Sequence, residues 1–448
     1  MCEQQHPLGR HPSPASARDG PTALISLDSA DDLKNMSSMK PRSIELIFFD
    51  AGGGHRAAAM ALKAVLAESR PNWDVRITNL QDELKSTDPI FILTGVPSQN
   101  LYNAALKMGM TYGSRAFLRG VQTLIKLCSV RMEEILRAHW AKDNSRQLDA
   151  VVSLIPNFNG VMFRALHATR PQAPFITIMT DMADVPPHFW QEEQDQYIIC
   201  GTSLAAQQAR ATSWYRRDRI YETSGMIIRP AFYAPPKKKP LTRAALGLAD
   251  GKPTALIMFG GYGSSASEDI VDSLNKAKLD VQTIVMCGSN DTLRTALNGK
   301  KGCHAVGFTP DVADYMRLAD FFIGKPGPGS ISEAWHMGLP VIVESNARTM
   351  IQERPNILLI KKSGAGIVVK SFRTIAQTVQ TLIESSRLHQ LAANVRKMNN
   401  RAIFEIPDIL DHIITQSNAG SRSTGLTAPR KLERLANKWA LRKKVKAK

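Results

Sequence analysis

The sequence lacks any stretch of about 18 apolar residues, so no segment of it reads as a membrane-spanning helix. Its start, Met1-Cys2-Glu3-Gln4-Gln5-His6-Pro7, lacks the apolar core of a secretory signal, which points to a protein that stays in the cytosol. Cysteine is sparse: Cys2, Cys128, Cys200, Cys287 and Cys303 form no Cys-x-x-Cys pair, so neither a disulfide framework nor a structural zinc site is written here. No Asp-x-Asp pair stands in a loop suited to a metal. Acids are also short, 40 against 57 Lys and Arg, and the formal charge of +17 calls for an anionic partner surface, either nucleic acid or anionic lipid.

The chain has 448 residues, 43% of them apolar and 22% charged, enough for two ordinary domains with real cores. Residues 1–42 mix Pro, Ser, His and Asp without a period and read as a flexible leader. Order begins at Ile44-Glu45-Leu46-Ile47-Phe48-Phe49, a strand-type run feeding a glycine turn and an Ala-rich helix from His55 to Glu68. Strand-like runs recur at Val75–Thr78, Ala150–Ile155 and Phe175–Met179, with a mostly helical insertion over 83–145 that carries Leu101, Leu106, Met108, Phe117, Leu118, Leu124 and Leu127.

A first domain over 43–228 follows, and the Pro- and Lys-rich stretch 229–240 reads as a linker. A second series, Ala255–Phe259, Val281–Met286, Phe321–Ile323 and Pro340–Val343, alternates with helical patterns and makes a second domain over 241–418. Such alternation argues for parallel sheets covered on both faces, hence two doubly wound α/β domains in tandem. Residues 419–448 form a basic tail, with nine Lys or Arg against Glu433 alone between Arg430 and Lys448. Leu432, Leu435, Ala436 and Trp439 recur there at helical spacing, as in a surface-lying amphipathic helix.

Three glycine loops follow strands and open helices. In Asp50-Ala51-Gly52-Gly53-Gly54-His55-Arg56 the glycines allow close approach of a ligand, and the helix start behind them favours anions; a dinucleotide turn or a plain tight turn would read the same way. The dinucleotide reading requires a Gly-x-Gly-x-x-Gly turn, which this loop does not supply. His55 adds an imidazole able to take a hydroxyl proton near neutral pH. The second domain holds Phe259-Gly260-Gly261-Tyr262-Gly263-Ser264-Ser265 and Gly324-Lys325-Pro326-Gly327-Pro328-Gly329-Ser330-Ile331-Ser332-Glu333-Ala334. Two such helix starts suit a diphosphate, while Glu333, one turn into the helix, is placed either to accept from a ribose diol or to serve as a capping carboxylate.

In order along the chain, Gly52-Gly53-Gly54-His55, Thr180-Asp181, Gly260-Gly261-Tyr262-Gly263, Cys287-Gly288, Val306-Gly307-Phe308, the Pro326–Ala334 run and Gly338-Leu339-Pro340 resemble the monogalactosyldiacylglycerol synthase family over roughly residues 44–400. They are more distantly similar to the bacterial transferase that adds N-acetylglucosamine to lipid I. The resemblance implies a GT-B fold, two Rossmann-like domains facing a central cleft, with acceptor on the first and UDP-sugar on the second. It implies His55 as general base, with Gly52, Gly53, Gly54 and Asp181 on the acceptor side. It places Gly261, Gly263, Ser264, Gly327, Pro328, Gly329 and Ser330 around the diphosphate, Phe308 over the uracil, Glu333 on the ribose and Gln352-Glu353 on the sugar. The flank Ala347–Ile351 departs from the family's Pro-Gly, which bears on sugar identity.

The expected activity is inverting transfer of a hexose from UDP-galactose or UDP-glucose to a membrane lipid, diacylglycerol foremost, with no obligatory cofactor or metal. An epimerase or hydrolase of the same fold would share the donor site without needing the lipid. The expected setting is the cytosolic face of an anionic membrane, bound peripherally. Nucleic acid is not expected as a partner, because no recognised module is visible and only Trp439 interleaves with the basic tail. No motif specifies an oligomeric state.

Overall fold

The computed structural model describes residues 41–50, 53–87, 114–142, 147–347 and 349–420. The leader, Gly52, most of the 83–145 insertion's first half, and the basic tail lie outside the described residues, as do Leu101, Leu106 and Met108.

The first sheet contains β1 (Arg42–Phe48), β2 (Trp73–Asn79), β3 (Ala150–Ser153), β4 (Phe175–Ile178), β5 (Tyr197–Cys200) and β6 (Ile220–Glu222), all parallel, in the order β2-β1-β3-β4-β5-β6. Side chains alternate across it. Ile44, Leu46, Ala150, Val152 and Leu154 pack under helix α1 (Gly54–Ser69), whereas Ile47, Val151 and Ile155 face α2 (Ser114–Lys142) and α3 (Asn159–Thr169). Helix α1 forms because Ala58, Ala61, Leu62, Val65 and Leu66 recur on one face. Helix α2 is held partly by a carboxylate inside the sheet: buried Glu45 accepts from Thr78, from Trp140 Nε1 at 2.9 Å, and pairs with His139 Nε2 at 2.8 Å. Burial opposes that charge, yet the His139 contact outweighs it and keeps the carboxyl below its usual range.

The second sheet contains β7 (Thr254–Met258), β8 (Gln282–Gly288), β9 (Cys303–Gly307), β10 (Phe321–Gly324), β11 (Val341–Glu344) and β12 (Gly366–Val369), parallel throughout, in the order β12-β11-β10-β7-β8-β9. Leu256, Ile284, Phe322, Val341 and Val343 form one face of its core; Ala255, Ile257, Val285, Phe321 and Ile323 form the other. The two parallel sheets bear out the α/β reading of two doubly wound domains. Strands β5, β6, β9 and β12, of three to five residues, have no counterpart among the runs read from sequence.

One segment departs from expectation. The sequence pattern places residues up to 418 in the second domain, but α4 (Ala402–Gly420) returns to the first domain and lies on α1. Its face of Ile403, Ile406, Leu410, Ile413 and Ile414 completes that domain's core. Two arginines fix the crossing: Arg42 bonds Thr415 at 2.8 Å and Asp411 at 3.5 Å, and Arg70 bonds Asp408. The apolar period alone does not say which domain a helix covers, and the ion pairs span more than 330 residues of sequence.

Candidate functional site

In a doubly wound sheet ligands gather at the carboxyl ends of the strands, where the strand order reverses. In the first sheet that point lies between β1 and β3, and in the second between β7 and β10. All three glycine loops leave these strands: Asp50–Gly54 follows β1, Gly260–Gly263 follows β7 and Lys325–Gly329 follows β10.

On the first domain the chain turns into α1 through Gly53, whose φ of 80° is left-handed and strained for a side-chain-bearing residue. The first turn of α1 carries no acid, so its free amide groups keep their preference for negative charge. His55 stands in that turn. Its Nδ1 lies 2.9 Å from the Thr180 hydroxyl beyond β4, and its ring packs 5.9 Å from Trp190. Burial pushes the imidazole down to about 4, against a hydrogen bond to the Leu154 backbone at the end of β3. The ring is therefore neutral at pH 7, with its proton on one nitrogen and a lone pair on the other.

Beside it, Asp181 accepts from Trp190 Nε1 at 2.9 Å. Burial raises its carboxyl to about 7, with Glu353 and Asp184 adding repulsion and Lys325 opposing. Glu353 and Lys325 belong to the second domain, so this carboxyl faces across the cleft. The loop bearing it is rigid, because Asp184 accepts from the backbone amides of Trp190 at 2.7 Å and His188 at 2.8 Å.

On the second domain Gly263 has φ 64°, and a Cβ there would stand 2.5 Å from the Cys287 carbonyl, so the turn closes against β8 only with glycine. The Ser289 amide donates to the Gly261 carbonyl at 2.9 Å, which ties this loop to the Cys287-Gly288 motif. The helix Pro328–His336 starts after Gly327 with proline at its first position, suited to a residue lacking an amide hydrogen, and no acid stands in its first turn. The carbonyl of Pro326 is held by the buried Asn356 at 2.7 Å.

Around these loops lie the remaining residues singled out from sequence. Glu333 Oε1 is 3.0 Å from Arg229 Nε; burial raises this carboxyl and the guanidinium opposes the rise. Glu353 is 5% exposed, raised by burial, with Lys325 Nζ 3.7 Å away. Gln352 Oε1 is buried without a hydrogen-bonding partner among the described residues. Phe308, just past β9, is 77% exposed. Gly261, Gly263, Ser264, Phe308, Gly327 to Ser330, Glu333, Gln352 and Glu353 thus follow the carboxyl ends of β7, β9, β10 and β11 of the second sheet, and His55 and Asp181 follow those of β1 and β4 of the first.

Residues 256–413 match the glycosyltransferase family 28 C-terminal domain. The second domain is that of a glycosyltransferase. The chain is 26% identical over 400 residues to the chloroplastic monogalactosyldiacylglycerol synthase of Spinacia oleracea, covering 84% of this chain and 73% of that one. It is 25% identical over 396 residues to the processive diacylglycerol beta-glucosyltransferase of Bacillus pumilus, covering 84% and 96%. The resemblance read from the motifs therefore extends through both domains. In structure, MurG of Acinetobacter baumannii superposes with a TM-score of 0.53 at 13% identity, over 83% of this chain and all of that one, so the GT-B fold holds. The family 28 match runs into α4, although that helix packs on the first domain.

Sequence reasoning left three residues without a role. Thr180 lies within the Thr180-Asp181 motif, but its bond to His55 joins positions 125 residues apart. Trp190 stands between His55 and Asp181 with no motif to mark it, and Arg229 pairs with Glu333 across 104 residues. Lys325 and Glu353 are each legible in the sequence, in the Gly-Lys-Pro-Gly run and in the Gln352-Glu353 pair, but their approach to 3.7 Å is not.

Proposed function

We propose that the chain transfers a hexose from a UDP-sugar to diacylglycerol, with inversion at the anomeric carbon. The observation that carries this reading is the position of two glycine loops, the buried carboxylate Glu353 and the half-buried carboxylate Glu333 at the carboxyl ends of the second sheet's strands, opposite His55 and Asp181 on the first. The helix starts after Ser265 and Gly327 supply amide groups for a diphosphate, including the charge it gains as a leaving group. Glu333 takes the ribose diol, Phe308 covers the uracil, and Gln352 with Glu353 binds sugar hydroxyls; the unpartnered Gln352 Oε1 is suited to accept one.

The acceptor hydroxyl oxygen attacks the anomeric carbon, the bond from that carbon to the β-phosphate oxygen breaks, and UDP leaves with the electron pair. The hydroxyl proton passes to His55, which is neutral and whose ring is already oriented by Thr180 and Leu154. The two curated relatives name a galactolipid and a glucolipid product, so UDP-galactose and UDP-glucose are the donors to test first. Their names also carry the choice of diacylglycerol over another lipid.

No helix among the described residues is long and apolar enough to cross a membrane. The net charge of +17 and the exposed Leu127 and Val130 on α2 support peripheral attachment to an anionic cytosolic leaflet. The test is incubation with diacylglycerol vesicles and a panel of UDP-sugars, with mass spectrometry of the lipids and NMR of the anomeric centre. A β-linked hexosyl lipid is expected. Release of free sugar or an epimerised donor at the same rate with and without lipid would replace the transferase reading.

A further inference from the structure

The chain crosses from the first domain to the second through residues 223–233, and this crossing is anchored rather than slack. Met226, Ile228 and Phe232 are buried in the core of the second domain. Asn400 donates to the Met226 carbonyl at 2.8 Å, and the Ser224 amide donates to Glu405 at 2.8 Å. Between these anchors Arg229 extends toward the donor side with its guanidinium over the Phe232 ring, 4.9 Å from its centre.

From there the guanidinium makes two contacts in different parts of the second domain. Nε donates to Glu333 Oε1 at 3.0 Å, and a terminal nitrogen donates to the Pro310 carbonyl at 3.3 Å, two residues beyond Phe308. The Glu333 side chain is 14% exposed and Arg229 31%, so the pair is only partly screened by solvent. Among the described residues Glu333 Oε2 has no hydrogen-bonding partner, which leaves one carboxylate oxygen for a ligand while the other is fixed.

We propose that Arg229 is a positioning residue for the nucleoside half of the donor: it orients Glu333 toward the ribose diol, with its second contact to the Pro310 carbonyl holding the guanidinium in place. The inference rests on the reading of Glu333 as the ribose-binding carboxylate. Without the guanidinium the carboxylate loses both its orientation and its compensating charge, and a buried carboxyl so released favours the protonated form, a poorer acceptor for two hydroxyl donors. Because the arginine stands on the domain crossing, this contact also makes nucleotide binding sensitive to how the crossing is seated.

The experiment is calorimetry of UDP and of 2′,3′-dideoxy-UDP with the full chain and the variants Arg229→Ala, Arg229→Lys, Glu333→Gln and the Arg229→Ala/Glu333→Gln pair, with thermal melting as a control on folding. Arg229→Ala should weaken UDP about tenfold, the scale of one charge-assisted hydrogen bond, and weaken the dideoxy analogue much less. Arg229→Lys, which keeps charge but not the planar fork, should fall between. The double variant should bind UDP no more weakly than Glu333→Gln alone. Equal losses for UDP and the dideoxy analogue, or additive losses in the double variant, would overturn the positioning role and leave Glu333 in place. Wild-type UDP affinity in Glu333→Gln would overturn the ribose reading itself, and Arg229 with it.

Discussion

The Thr180 hydroxyl lies 2.9 Å from His55 Nδ1 and joins the loop after β4 to the first turn of α1. This bond fixes the ring of the residue proposed as general base, and it ties the Thr180-Asp181 and Gly-Gly-Gly-His motifs into one unit. Removing the ring should therefore be far more costly than removing its partner. His55→Ala should lower turnover by roughly two to four orders of magnitude, whereas Thr180→Val should lower it about tenfold. UDP affinity should stay near wild type in both, because the donor loops lie on the other domain. Steady-state kinetics with separate UDP calorimetry checks the pair, and unchanged turnover in His55→Ala would end the assignment.

The same site makes two opposed contributions to stability as pH changes. His55 stays neutral in the folded chain down to about 4, while an unfolded histidine takes its proton near 6.5. Between those values the unfolded state binds more protons, so this residue costs stability as pH falls. Asp181 has the reverse sign: the folded carboxyl holds its proton up to about 7 and the unfolded one only to 3.8, so stability gained at low pH is lost as pH rises through that window. Denaturant titrations at pH 5 and pH 7 should show less loss on acidification in His55→Asn than in the wild type, and more in Asp181→Asn. Identical pH dependence in all three proteins would contradict both assignments.

Much of this architecture is legible before any coordinates. Runs such as Leu46–Phe49 and Phe321–Ile323 are continuously apolar and rich in isoleucine and phenylalanine, and the glycine turns after them mark where a buried strand gives way to a helix. The short strands β6 and β12 escape because three or four residues carry too little period, and Cys303-His304-Ala305 in β9 is not a strand-type apolar run. The donor loops are legible for the same reason as the strands, since local backbone demands glycine at Gly263 whatever the rest of the chain does. What escapes is pairing at a distance: α4 on α1, Arg229 with Glu333, and Trp190 between His55 and Asp181 depend on tertiary packing that no window of sequence contains.

Glu333→Ala should weaken UDP binding by about 1.5–3 kcal/mol, the range for a hydrogen bond to a charged group. The Glu333 side chain is only 14% exposed, which supports the upper part of that range, since water does not readily replace the lost carboxylate. Uridine should lose as much as UDP, because the contact is to ribose and not to phosphate. A loss confined to UDP would instead place Glu333 near the diphosphate.

The sugar pocket can be separated from the nucleotide pocket through Gln352, whose buried Oε1 has no partner in the described structure. If that oxygen accepts from a sugar hydroxyl, Gln352→Leu should raise the KM for the UDP-hexose by about tenfold and leave the affinity for UDP unchanged. The ratio of UDP-galactose to UDP-glucose turnover should also shift, because the two sugars differ in the direction of one hydroxyl. Equal losses for UDP and both sugars would assign Gln352 to the fold of the loop and not to the sugar.

The proposed attachment to the bilayer would have two separable sources on this chain. Leu124, Leu127 and Val130 lie along one side of α2, exposed by 39%, 77% and 71%, and an apolar stripe of this kind is stabilised by burial in the headgroup layer. Their exposure sets these three apart from Ile125, Met132 and Leu136 of the same helix, which are buried in the first domain's core. The basic tail is the second proposed source, since each Lys or Arg held near an anionic surface contributes about 1 kcal/mol and nine are available from Arg430 onward. The two respond differently to salt. Deleting residues 421–448 should weaken sedimentation with anionic vesicles, and raising salt should reproduce the deletion in the intact protein. Leu127→Asp with Val130→Asp should instead weaken binding to neutral and anionic vesicles alike, with little salt dependence in the remaining deficit. UDP affinity should be untouched by either change, because α2 packs on the first domain and the tail is read as a membrane-binding segment. If the truncated chain sediments as well as the full one at every salt concentration, the tail is not an anchor and the charge serves another surface; if the double aspartate variant does so, the stripe on α2 faces water.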